Sequence, residues 1–354
     1  MNIFYDYQIF QNQIYGGPSK YFIELIKAVN ENNKNIKTKI IAPFYINKFL
    51  KSSKNLDSIG IYINKKYSFR LTNYFNKFFF EKYINLKKPD LIHQTYYSNP
   101  KIKLGPTVLT VYDLIHEKFQ SDFKVEFPKK KSLINADHII CISQNTKKDL
   151  MDIYRIDEKK ISVIYLASGI KLTKQSYTEN FLLYVGSRKR YKNFRIVLEA
   201  LSRKKFKNNL VLKCFGGGPL LKEEVDYIKK LNFPLENIKI IDGNDTDLHS
   251  ELNKAYALIY PSKYEGFGLP ILEAMSLGCP VISSNSSSLP EVYGDAALNF
   301  DPNNVTELEK RIQDLLNDNS MRNNLIDKGF KRVKKFSWEK CANETIKVYK
   351  KVVG

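Results

Sequence analysis

Short apolar runs alternate with amphipathic stretches along the whole chain, and this alternation predicts strands and helices taken in turn, a βαβ architecture with parallel sheets. A first series of strands is expected at residues 3–5, 38–42, 91–94, 107–111, 138–142 and 161–164, and a second at 181–185, 210–215, 238–241, 257–260 and 280–283. Two sheets follow. Between the series, residues 167–179 (ASGIKLTKQSYTE) are polar and carry no periodicity, which places a linker there. The expected domains are therefore 1–170 and 180–337, the second completed by helices near 307–317 and 320–335, with a last helical segment at 338–354. No internal repeat stands out at a fixed period.

At 354 residues the chain is long enough for two cores. A hydrophobic content of 43% supports packed domains and rules out general disorder. No apolar run approaches the ~20 residues that span a bilayer. The start MNIFYDYQIF shows neither a basic leader nor a cleavage site, so a cytoplasmic protein is expected. Cys141, Cys214, Cys279 and Cys341 are scattered without paired spacing and read as reduced core residues.

The formal net charge of +20 points to an anionic partner, although abundant Lys, Asn and Ile also fit a biased genome composition. Nucleic acid, an anionic membrane surface and a phosphate-bearing substrate all satisfy it. No zinc-finger spacing and no RNP-type strand appear, so nucleic acid is not expected and the membrane surface is favoured. Residues 65–88 (KKYSFRLTNYFNKFFFEKYINLKK) set Leu71, Phe75, Phe78, Phe79 and Tyr83 at helical spacing among lysines. Such a stripe either lies on anionic lipid or packs on a sheet.

Candidate chemistry concentrates at residues 261–282, PSKYEGFGLPILEAMSLGCPVI. An apolar strand ends at Pro261, Gly266 and Gly268 permit a tight turn, and Pro270 opens a helix that Gly278 and Pro280 close. This puts Glu265 in the turn at the helix mouth and Glu273 near its start, with the helix N–H groups offered to a phosphate. The plainer reading leaves Glu265 solvated and lets Glu273 complement the helix dipole. The segment resembles the nucleotide-sugar site of the retaining family 4 glycosyltransferases of GT-B fold, in a branch that builds bacterial surface polysaccharides. The resemblance implies that Glu265 lies near the donor sugar, that Glu273 takes the ribose hydroxyls, and that Gly266, Phe267, Gly268 and Leu269 line the donor pocket. It further implies two Rossmann-like domains facing a central cleft, with the last helix crossing back onto the first.

Other stretches extend the likeness. After the strand FLLYVG comes SRKRYKNF, where Lys192 matches a family lysine that neutralises the diphosphate. Ser187 stands where the family has an arginine, so Arg188 or Arg190 is expected to supply that charge; a solvated basic turn is the alternative. Gly16 and Gly17 precede a helix and resemble a family entry loop in which Lys20 replaces an arginine, and they join the donor-binding set. LIHQTYYSNP and VLTVYDLIHEKF end successive strands, where open α/β sheets place ligands. From the second, Asp113 and His116 carry over as catalytic candidates, although relatives set a histidine where this chain has Tyr112; a structural histidine is the alternative. Residues 136–167 resemble the end of the first domain, with Ser143 and Asn145 or Thr146 capping a helix. Gly216 to Gly218, with Gly217 at the centre, either approach the nucleotide or form a strand-to-helix turn. Residues 286–291 either cap a turn or touch ribose or phosphate. The triplet Asp245, Thr246, Asp247 precedes an apolar-periodic helix and is explained by capping, so no metal site is expected.

The resemblance thus implies a hexosyltransferase that uses a nucleotide-diphosphate sugar, GDP-mannose by branch, without metal or cofactor. Its acceptor would be a lipid-linked or growing surface polysaccharide, at the inner face of the plasma membrane. Two alternatives stay open: a non-hydrolysing nucleotide-sugar epimerase, and an inactive GT-B scaffold at the membrane. Acceptor-free isomerisation would mark the first, and intact Glu265, Glu273 and Lys192 weigh against the second.

Overall fold

The computed structural model describes residues 1–64, 69–98, 103–119, 129–175, 179–188, 190–203, 206 and 210–354. The chain forms two compact units, Met1–Leu166 with Ser337–Gly354, and Ala167–Phe336. In the first, strands β1 (Asn2–Tyr5), β2 (Lys37–Tyr45), β3 (Ser58–Tyr62), β4 (Leu91–Gln94), β5 (Thr107–Val111), β6 (His138–Cys141) and β7 (Ile161–Val163) form one sheet. Its order is β3-β2-β1-β4-β5-β6-β7, and every neighbouring pair is parallel. Parallel strands need crossovers, which lay helices on both faces. Thus Tyr5 of β1 meets Phe22 of helix Gly17–Asn32, while its neighbour Phe4 meets Tyr83 of helix Phe69–Lys87 on the opposite face.

The second unit repeats the plan with β8 (Phe181–Val185), β9 (Val211–Phe215), β10 (Ile238–Ile241), β11 (Ala257–Tyr260), β12 (Val281–Ser284) and β13 (Leu298–Phe300). The order is β10-β9-β8-β11-β12-β13, again parallel throughout. β8 and β11 are buried along their whole lengths, as central strands covered on both faces must be. Their side chains join Ile196, Val197 and Leu201 of helix Phe194–Leu201 and Leu308 and Ile312 of helix Val305–Asn317 in one core.

Every strand read from the sequence is present. Among the described residues two more appear, β3 and the three-residue β13. The polar stretch expected to be a linker is strapped to the second unit: Thr173 donates its N–H to Ser276 O at 2.9 Å, and the Gln175 amide reaches Ala255 O at 2.9 Å and Leu252 O at 3.2 Å. Its residues 176–178 lie outside the described residues. The final helix, Trp338–Val353, buries Tyr349 in the first unit, where its hydroxyl sits 2.6 Å from His93 Nδ1 and 3.0 Å from Tyr5 Oη. All four cysteines are free and buried, and burial pushes the thiols of Cys214, Cys279 and Cys341 up to about 12.

Candidate active site

In both sheets the chain order reverses beside the first strand, between β1 and β4 and between β8 and β11. Loops leaving the carboxyl ends of two such strands diverge to opposite faces and open a crevice there. In the second unit those loops carry Lys192 and Glu265. Their side chains meet, Lys192 Nζ to Glu265 Oε1 at 2.6 Å, and the Tyr260 hydroxyl at the end of β11 lies 3.3 Å from the same nitrogen. Lys192 closes the 3₁₀ turn Arg190–Lys192, and the turn is tied to the neighbouring loop by Lys263 N–H to Tyr191 O at 2.7 Å. Burial works against the ammonium ion, but the Glu265 carboxylate, with Tyr260 and Tyr191, holds its pKa well above the ordinary lysine range. Burial first, and then the Glu265 charge, push the Tyr260 hydroxyl up, so it stays a neutral donor and acceptor.

The turn that presents Glu265 is braced from behind. Ser287 Oγ accepts from the Glu265 N–H at 2.8 Å, and Ser288 Oγ lies 2.8 Å from Glu265 O and 3.0 Å from Phe267 O. Residues 286–291 therefore hold the carboxylate-bearing turn through side chains. Gly268 starts helix Leu269–Ser276 at φ 113°, and a Cβ there would stand 2.8 Å from Leu289 Cδ2, so only glycine fits the approach. Glu273 is buried in that helix, one turn beyond its start.

Arg188 takes a different place from the one expected. Its guanidinium donates to Glu224 Oε1 at 2.8 Å, Gly216 O at 3.3 Å, Gly217 O at 3.4 Å, Gly218 O at 2.9 Å and Pro219 O at 2.7 Å. A planar fork with five N–H donors suits such a set of carbonyls. In this arrangement Arg188, expected at the diphosphate, braces the glycine loop. Gly217, at φ 84°, leaves 2.9 Å between a would-be Cβ and Arg188 Nη1, so the loop and its strut need that glycine. Lys189 and the Arg190 side chain lie outside the described residues.

The remaining candidates belong to the first unit. Gly16 caps helix Gly17–Asn32, with Gln13 Oε1 accepting from Ser19 N–H at 3.3 Å across the entry. Tyr112 is a buried core residue whose hydroxyl donates to Thr95 O at 3.0 Å, with Tyr21, Phe22 and Tyr96 around its ring. Burial pushes its pKa far up, which removes it as a proton carrier near neutrality. Asp113 Oδ1 accepts from Ile115 N–H at 3.0 Å and turns the chain into the short helix Ile115–Lys118 that carries His116. Beneath this turn sits a constellation that spacing did not reveal. Lys129 Nζ reaches Glu117 at 2.8 Å and Asp113 O at 3.0 Å, and Tyr154 Oη donates to Glu117 at 2.6 Å.

Asp6, just past β1, was also missed. Its carboxyl accepts from the Thr95 N–H at 2.8 Å and from the Thr95 hydroxyl at the end of β4, the switch point of this sheet. A strand-end aspartate after β1 was the available signal. The triplet at 245–247 is the first turn of helix Asp245–Lys254, whose N-cap is Asn244: Asn244 Oδ1 accepts from the Thr246 and Asp247 N–H groups, and of the triplet Asp247 closes the capping box, its Oδ2 accepting from Asn244 N–H at 2.9 Å.

Family models describe the same two halves. One, for glycosyltransferase family 4, matches residues 15–167, and another, for glycosyl transferases group 1, matches 171–332. The chain belongs to the family 4 glycosyltransferases. It is 32% identical over 245 residues to the O-antigen chain mannosyltransferase B of Escherichia coli, a match covering 62% of this chain and only 62% of that relative. An uncharacterised glycosyltransferase of Methanocaldococcus jannaschii is 29% identical over 275 residues, covering 74% of this chain and 76% of its own. The sucrose-phosphate synthase of Thermosynechococcus elongatus superposes with a TM-score of 0.75 at 19% identity, over 99% of this chain and 98% of that one. The family 4 fold is the GT-B architecture of two parallel-sheet Rossmann-like units, and this chain has it.

Proposed function

We propose that this chain is a retaining, metal-independent hexosyltransferase that moves a sugar from a nucleotide-diphosphate donor to a lipid-linked or growing surface polysaccharide. The observation that carries the reading is the Lys192–Glu265 pair at the switch point of the second sheet, at the mouth of helix Leu269–Ser276. An ammonium group has three donors. Glu265 and Tyr260 engage two of them, and the third is available to a diphosphate oxygen. Lys192 would then bridge the leaving phosphate and Glu265, stabilising negative charge as the glycosidic bond breaks while Glu265 faces the positive character at the anomeric carbon. Glu273 would hold the ribose. Retention fits a leaving phosphate that takes the acceptor proton on its own face, because Glu265 is committed to Lys192 rather than poised as a nucleophile. The name of the O-antigen chain mannosyltransferase relative supports a mannosyl group and an O-antigen type of acceptor; GDP-mannose is the donor we propose.

Donor binding and product stereochemistry test this together. Lys192→Met is expected to lower turnover by ~10²–10³, and Glu273→Ala to weaken donor binding by about 10-fold or more. NMR of the product should show the anomeric configuration of the donor, with undiminished activity in chelator. Turnover unchanged in both variants would overturn the site assignment, and an inverted product would overturn the mechanism.

A further inference from the structure

Helix Phe69–Lys87 is attached to the first sheet by the side that spacing alone did not single out. Asn76, Phe80 and Ile84 are buried: Asn76 Oδ1 accepts from Phe44 N–H of β2 at 2.7 Å, and the Phe80 ring meets Tyr7. The opposite side is largely apolar, with exposed Lys82 and Asn85 among its rings. Leu71, Tyr74, Phe75, Phe78, Phe79 and Leu86 are between 40% and 74% exposed. At 100° per residue they fall in one arc over a helix about 28 Å long. A surface helix ordinarily turns its polar side outward.

The apolar surface continues onto the sheet edge. Phe4, which packs on Tyr83 of this helix, pairs with Lys39, and Ile41, two residues on, pairs with Ile59 of β3. Side chains alternate along a strand, so Ile59 and Ile61 share the face on which the helix lies. Both are exposed. Charge around the patch is mostly positive, and Asp57 beside β3 is paired with Lys39 at 3.1 Å. Arg70, Lys82, Lys87 and Lys88 are exposed, and Glu81 is the helix's single acid, paired with Lys77 at 3.8 Å.

We propose that this face seats the first unit on an anionic phospholipid surface, its aromatic arc at the headgroup and acyl boundary and its basic residues against lipid phosphates. Basic flanks around an apolar arc are what an anionic interface attracts. A second copy would oppose like charge to like charge, and the chain's net charge of +20 adds to that repulsion. A lipid-linked acceptor would make such seating useful.

Flotation of the full chain reads the proposal with no donor and no turnover, so its failure is distinct from failure of the transferase reading. The protein should float with vesicles of phosphatidylcholine and phosphatidylglycerol and much less with phosphatidylcholine alone. Phe75→Ser with Phe78→Ser should reduce the bound fraction at least ~10-fold while leaving the melting temperature in place, as expected of exposed positions. In a second measurement, Phe78→Trp should shift its emission to the blue when anionic vesicles are added. No flotation, flotation unchanged by the double substitution, or no emission shift would overturn the proposal. So would a lipid-free dimer that the double substitution dissociates, because that assigns the face to a second copy.

Discussion

Lys192 and Asp6 stand at equivalent places, each in the loop after the first strand of its sheet, yet burial acts on them in opposite senses. Lys192 has a counterion, Glu265, and keeps its charge. Asp6 has only neutral donors, and burial outweighs them and pushes its carboxyl up to about 7. An unfolded aspartate titrates near 4, so the folded state keeps this proton longer, and the contribution of Asp6 to stability falls as pH rises from about 4 to about 7. His93 works the other way: burial pulls its imidazole down to about 3, so its contribution is lost as pH drops below an unfolded value near 6.5. The two slopes oppose each other between pH 4 and 6.5. Asp6→Asn keeps the oxygen that accepts from Thr95 and removes one slope. The variant should therefore lose stability more steeply on acidification from pH 7 to 4.5 than the parent chain, by on the order of 2–3 kcal/mol. Urea midpoints across that range decide it, and parallel curves would contradict it.

Arg188 and its loop show where reading along the chain reaches its limit. The strands and the glutamate-bearing turn were legible because each is written locally, in apolar runs, glycines and a proline at a helix start. β3 was not, since Ser58–Tyr62 is an exposed edge containing Gly60, and β13 offers three residues only. The partner of a charged side chain is not local at all. SRKRYKNF looks like phosphate-binding charge, yet Glu224 and four carbonyls claim Arg188 from a loop about thirty residues away. Similarly, period 3.6 identified an apolar stripe on helix Phe69–Lys87 without saying that Phe80 and Ile84, rather than Phe75 and Phe78, face the sheet. Arg188→Met separates strut from ligand. Leaving the loop carbonyls and Glu224 without the guanidinium should cost about 3 kcal/mol and lower the second unit's melting temperature by roughly 10 °C. A residue that only met phosphate would leave that temperature unchanged and weaken donor binding alone.

The molecule as a whole joins sequence ends that local reading keeps apart. Met1–Leu166 and Ser337–Gly354 share one unit, while Ala167–Phe336 completes another without them. The returning helix contributes buried Cys341, Ala342, Ile346, Val348 and Tyr349. The Tyr349 hydroxyl also joins Tyr5 to His93, whose other nitrogen lies 2.9 Å from Thr110 Oγ1. Removing the helix would open apolar surface on helix Gly17–Asn32, β4 and β5 and strip a partner from two buried polar groups, a loss of several kcal/mol from each kind of effect. Domain stabilities of about 5–15 kcal/mol do not absorb that. A chain ending at Phe336 is therefore expected to unfold its first unit while the second, which keeps its own core, stays folded. Hydrogen exchange should show protection lost in β1, β4 and β5 and kept in β8 and β11. Donor binding by the second unit should persist with transfer abolished, and equal loss of protection in both sheets would refute the independence of the two cores.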